Sequence, residues 1–243
     1  MKNSSKILLL SLGGLVFITL VVLFLSRPRG HTNFIFYGDN QRISDDGKAA
    51  SQNYSFADQP FDSIVLKGTG KMEAQVTHKQ HTANATITTN SNLLPYVDVY
   101  VRNKTLYISK KDHIYFHSKT KIKIMVNADD LKSISTYGSG DSIINNINTD
   151  KFSAETYGSG NTTLQGRAKK LSIKIRGSGD INTKNLNAED VEASIYGSGD
   201  IVTNATKKIN ADIHGSGSIE YYGNPQKVSQ SIAGSGKILA IGR

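Results

Sequence analysis

The sequence predicts an all-β protein, a parallel β-helix of about 19 residues per coil, preceded by one N-terminal transmembrane helix. Three observations carry this. The triplet Gly-Ser-Gly is written six times at near-constant spacing in the second half of the chain. Apolar and polar residues alternate ahead of each copy. An uncharged apolar run of 19 residues stands near the N-terminus. Composition agrees: the 243 residues include 22 Gly, only 4 Pro and neither Trp nor Cys, a polar mixture that suits many short strands better than packed helices. Without Cys there is no disulfide, no thiolate nucleophile and no site for an N-terminal lipid anchor on cysteine.

Residues 7–25 read ILLLSLGGLVFITLVVLFL. As a helix this run spans about 28 Å, close to the roughly 30 Å of a bilayer core. SRPRG follows it, with no small-residue cleavage site, so residues 1–26 are expected to form an uncleaved signal anchor. A short tail carrying Lys2 and Lys6 stays in the cytoplasm, which makes this a single-pass protein of the cell membrane. The rest then lies on the exported side, periplasmic or extracellular. Residues 27–54 are polar and aperiodic and are read as a linker.

The formal charge of +9 gives no ground for nucleic-acid binding. Lys2, Lys6, Arg27 and Arg29 flank the apolar run and supply four of the charges. The remaining +5 is ordinary for a soluble surface. One local excess lies between Arg102 and Lys123, seven cations against Asp112 alone. It reads as a lysine-protected strand face or as a patch for anionic headgroups or glycans.

The domain is expected over 55–243, with its regular part at 131–243. The triplets begin at Gly138, Gly158, Gly177, Gly197, Gly215 and Gly234, with steps of 20, 19, 20, 18 and 19. They close at Gly140, Gly160, Gly179, Gly199, Gly217 and Gly236. A fixed period of this length marks a solenoid. Two residues before the triplet stand Ile175, Ile195, Ile213 and Ile232, and polar residues separate them from further apolar positions upstream. That is the period-2 signature of a strand with one buried face. The triplet is then a turn in which the backbone takes a positive φ and approaches the next coil. It is neither a nucleophile elbow nor a phosphate loop, so no catalytic residue is assigned.

The YGSGD ladder, with FDSIVLKGTGKMEAQV, VRNKTLYIS and IKIMVNADDLKSISTYGSGD before it, resembles the head GIN domain of bacterial auto-transporter adhesins over roughly residues 55–243. The resemblance implies a right-handed β-helix, an envelope location and an adhesive role.

Two columns are candidate sites. Just before the triplets stand Tyr137, Tyr157, Arg176, Tyr196 and His214, on the outward parity. Tyr offers a flat apolar ring with a hydroxyl, suited to sugars, and a ladder of such rings also stabilises neighbouring coils. Just after the triplets, Asp141, Asp180 and Asp200 could share a calcium ion, or could serve their own turns. No cofactor is expected. A β-helix that stops at KILAIGR leaves an open end on which a second copy could dock. The leading expectation is a non-enzymatic, membrane-anchored binder of envelope or surface glycan. The alternatives are a scaffold that engages protein partners through its ends, and a carbohydrate-active β-helix enzyme.

Overall fold

One buried residue alternates with one exposed residue along most strands of the computed structural model, which describes residues 41–68, 72–78, 83–117 and 121–242. The first half contains β1 (Gln41–Ser44), β2 (Ala49–Ser55), β3 (Ser63–Gly68), β4 (Met72–His78), β5 (Asn84–Asn90), β6 (Val97–Arg102), β7 (Thr105–Lys110), β8 (Ile114–His117) and β9 (Ile122–Ala128). A 3-10 turn at Leu94–Tyr96 joins β5 to β6. The second half contains β10 (Ser133–Gly138), β11 (Asp141–Gly158), β12 (Thr162–Gly177), β13 (Ile181–Asn182), β14 (Leu186–Gly197), β15 (Ile201–Gly215), β16 (Ser218–Tyr222), β17 (Lys227–Gly234) and β18 (Lys237–Ala240).

The second half is a β-solenoid of about five turns. β10, β11, β12, β14, β15 and β17 stack in parallel, and the first glycines of the six triplets fall in one register column from Gly138 to Gly234. Inside, Ile175, Ile195 and Ile213 stack with no exposed surface. In the first coils the same column holds Thr136 and Thr156, whose hydroxyls bond each other at 3.1 Å and continue to Thr162 at 3.2 Å. These buried hydroxyls are tolerated because each finds a partner.

The triplet shapes the backbone, as its spacing predicts. Ser178 donates its backbone N–H to the Gly158 carbonyl of the preceding coil at 2.9 Å, and Ser198 does the same to Gly177. This pulls successive turns together. At Gly177, φ is +141°, and a Cβ there would run into the Gly158 carbonyl oxygen. Gly179 meets Gly160 in the same way without needing a positive φ. One glycine answers to conformation and contact, the other to contact alone.

The first half joins the same stack out of chain order. β3 lies between β10 and β7, parallel to both, and β4 lies between β11 and β9, again parallel to both. The coil that the chain builds first is therefore inserted between one built later and the regular ladder. Antiparallel strands close this end: β6 on β7, and β5 on β9 with β2 outside it. The VRNKTLYIS hairpin forms as expected, its two-residue turn at Asn103 and Lys104 having φ of 50° and 57°.

One expectation is corrected. The span 27–54 is not a linker throughout, since β1 and all of β2 but Ser55 fall in it. β2 escaped a reading by periodicity because it is largely exposed and carries polar residues on both faces. Its structure comes from its partner, in a seven-pair register with β5 and in side-chain bonds such as Ser51 to Thr88 at 2.8 Å. The anchor expected at residues 1–26 lies outside the described residues. Among the described residues no helix is long and apolar enough to cross a membrane.

At the opposite end the core is left open. β17 is exposed along its whole length, and Val228, Ile232 and Leu239 present their side chains at 46%, 47% and 42% exposure.

Candidate functional site

Because every coil repeats the same parity, the residue before each triplet projects outward, and the parallel register sets these residues one above another. Tyr137 and Tyr157 lie ring on ring, with centroids 4.6 Å apart and planes 3° from parallel. The Arg176 guanidinium follows, 5.9 Å from the Tyr157 ring and 5.1 Å from that of Tyr196. Tyr196 stacks on His214 at 5.0 Å. All five residues expected from the sequence are thus brought into one column.

A sixth member comes from the inserted coil. Lys67 on β3 is the register partner of Tyr137 and holds its ammonium 5.5 Å from that ring. Sequence periodicity missed it because Gly68 stands 70 residues before Gly138. The usable signal was Gly-Thr-Gly at 68–70, the triplet with one hydroxyl residue replacing another.

The geometry corrects one chemical expectation. The ring faces of Tyr137, Tyr157 and Tyr196 are taken up by their neighbours in the column, so sugar rings cannot stack on them there. What faces solvent is a line of ring edges, hydroxyls and cations, with Tyr137 and Tyr196 at 39% and 41% exposure. Side contacts hold the line in place. The Tyr157 hydroxyl donates to the Glu155 carboxylate at 2.6 Å. That bond, aided by partial burial, raises the Tyr157 pKa above the usual phenol value. His214 Nε2 lies 3.1 Å from Asp212 Oδ2.

At its Lys67 end the column opens into a groove of about 390 Å³ between Tyr137 and the segment carrying Lys110, Lys111, His113 and Tyr115. Part of the Arg102–Lys123 excess is gathered here, with the Lys110 ammonium 4.9 Å from the Tyr115 ring. Burial lowers the Lys110 pKa.

The carboxylate column is also formed, as a chain of turn bonds. Asp141 accepts the Asn161 N–H at 3.0 Å, Asn161 accepts that of Asp180 at 3.1 Å, and Asp180 accepts that of Asp200 at 2.9 Å. Asp200 accepts both the N–H and the hydroxyl of Ser218. Each side-chain oxygen caps the next coil, which is the turn-serving role open to these residues. Among the described residues no group of three or more His, Cys, Asp or Glu converges as metal ligands would.

Residues 60–225 match the family described as "Putative auto-transporter adhesin, head GIN domain". The chain belongs to this family. Known structures share the fold of this chain. A "putative adhesin" from Bacteroides fragilis NCTC 9343 superposes with a TM-score of 0.67 at 29% identity, over 82% of this chain and 100% of its own. A "putative adhesin" from Parabacteroides merdae ATCC 43184 gives 0.56 at 21% identity, over 83% and 99%. A "putative lipid binding protein" from Parabacteroides distasonis ATCC 8503 gives 0.51 at 24%, over 83% and 100%. No curated protein matches this head GIN chain.

Proposed function

We propose that this head GIN protein is a non-enzymatic binding module of the cell envelope, anchored through residues 7–25 with its solenoid on the exported side. It holds a surface glycan along the column from Lys67 to His214. The observation that carries this reading is the column itself: Tyr hydroxyls and the cations Lys67 and Arg176 share one exposed edge that leads into the groove beside Tyr115. Hydroxyls and cations at fixed spacing suit the hydroxyl and acidic groups of a carbohydrate chain. The adhesin naming of the family and of the Bacteroides fragilis relative agrees with it. Because the ring faces are covered, recognition runs through the hydroxyls.

The test is a titration of fractionated envelope polysaccharides with the wild-type chain and a Tyr137→Phe/Tyr157→Phe/Tyr196→Phe variant, which keeps the stacking and removes the hydroxyls. Saturable binding that the variant loses while circular dichroism shows the same fold supports the reading. Equal binding by both proteins overturns it.

The open end favours a second reading, a scaffold that engages protein partners or a second copy through β17 and β18. The third reading is a carbohydrate-active β-helix enzyme, which predicts turnover that is lost on changing one or two acidic residues.

A further inference from the structure

The outer face that carries the Tyr column has a second edge. Seven residues before the triplets, Lys151, Lys170, Asp190, Lys208 and Lys227 stack in register. The neighbouring column solves the repeat's electrostatics by alternating sign: Asp150 pairs Lys169 at 2.8 Å, and Glu189 pairs Lys207 at 2.8 Å. The first column alternates only in its middle, where Asp190 is the register partner of both Lys170 and Lys208, and breaks the rule at both ends. Lys151 sits beside Lys170, and Lys208 beside Lys227, with no carboxylate in ion-pair range among the described residues. Like charges on adjacent strands, about 4.8 Å apart, repel one another. An arrangement avoided one residue away thus occurs twice here. A groove of about 370 Å³ runs along the first four of these residues, and Lys132 and Glu192 also line it.

We propose that the pairs Lys151/Lys170 and Lys208/Lys227 are two seats for a linear acidic polysaccharide lying along the solenoid axis. One carboxylate or sulfate bridges each Lys pair and relieves its repulsion. The seats are three strand spacings apart, about 14 Å, and Asp190 stands between them. A linear polyuronate twists along its length, so successive carboxylates point to different sides of the chain and those near Asp190 can turn away from it. A nucleic-acid strand, with a phosphate about every 3.4 Å of duplex, cannot do so. Nucleic acid also lacks its usual stacking platform here, because the Tyr faces are covered. The Tyr reading is independent: Lys151 and Tyr157 are six residues apart on β11, about 20 Å along the strand.

The experiment is calorimetric titration of the full chain with polygalacturonate, with dextran and single-stranded oligothymidylate as comparison ligands. The variants are Lys151→Gln/Lys208→Gln, a remote pair of equal charge change (Lys48→Gln/Lys237→Gln), and the Tyr→Phe triple variant. Circular dichroism and melting confirm folding. Should the first variant fail to fold, Lys170→Gln/Lys227→Gln replaces it. Wild type is expected to bind polygalacturonate, more weakly as salt rises, and not dextran. Affinity should fall about tenfold in the seat variant and less than about twofold in the remote pair. The Tyr→Phe variant should keep polygalacturonate binding whether or not it loses an envelope ligand. Absence of binding by wild type, equal losses in both Lys variants, or tighter binding of oligothymidylate overturns the proposal.

Discussion

Ile213 has no exposed surface, while Ile232, its register partner one coil later, is 47% exposed. The two share residue type, column and strand position, and differ in whether another coil follows. Ile213→Ala should therefore cost about 2–5 kcal/mol, and Ile232→Ala about 0.5 kcal/mol or less, by urea unfolding of dilute protein. Equal costs would mean that the end is covered in solution, as the scaffold reading requires.

Gly177 and Gly47 both hold a positive φ, at +141° and +70°, but only Gly177 faces a neighbouring carbonyl. A Cβ at Gly47 meets nothing within 4 Å. Gly177→Ala combines backbone strain with overpacking and should cost at least about 2 kcal/mol. Gly47→Ala carries the strain alone, about 1 kcal/mol. Thermal melting separates the two, and similar shifts would contradict the close-approach account of the triplet.

Arg176 lies between the Tyr157 and Tyr196 rings, so it acts on stability as well as on any ligand. A double-mutant cycle of Arg176→Ala with Tyr196→Ala should return a coupling of about 0.5–1 kcal/mol. A coupling of zero would show that the column is held by its backbone register alone.

Asp62 joins the inserted coil to the regular ladder. Its backbone carbonyl accepts the Lys132 N–H at 2.7 Å, and its carboxylate meets Lys132 Nζ at 2.9 Å. Partial burial pushes the Asp62 pKa up, but hydrogen bonds from Lys132 and Ser63 outweigh it and leave it lowered. A carboxyl with a lowered folded pKa stabilises fully above its unfolded value, about 4, and loses that contribution as pH falls through the folded value. Asp62→Asn should lower the melting temperature at pH 7 and flatten its fall below about pH 4. An unchanged pH profile would remove Asp62 from that role.

The regular ladder was legible because each coil repeats the same local problem: an Ile to bury, a Tyr or Arg outside, and a Gly where the next coil passes. Tyr137, Tyr157, Arg176, Tyr196 and His214 could be placed in one column from parity and period alone. Lys67 could not, because its coil enters the stack 70 residues out of phase. β2 was illegible for another reason. Its polar residues bury little of their own, so its strand state depends on β5.

The sequence by itself determined the repeat, the alternation and the need for glycine, since these follow from side-chain period and steric contact between neighbouring coils. The tertiary structure alone decided which end of the solenoid is capped and where the first coil inserts. It alone decided that the Tyr faces are spent on one another. Those outcomes depend on contacts between residues distant in sequence, whose local patterns are compatible with more than one partner.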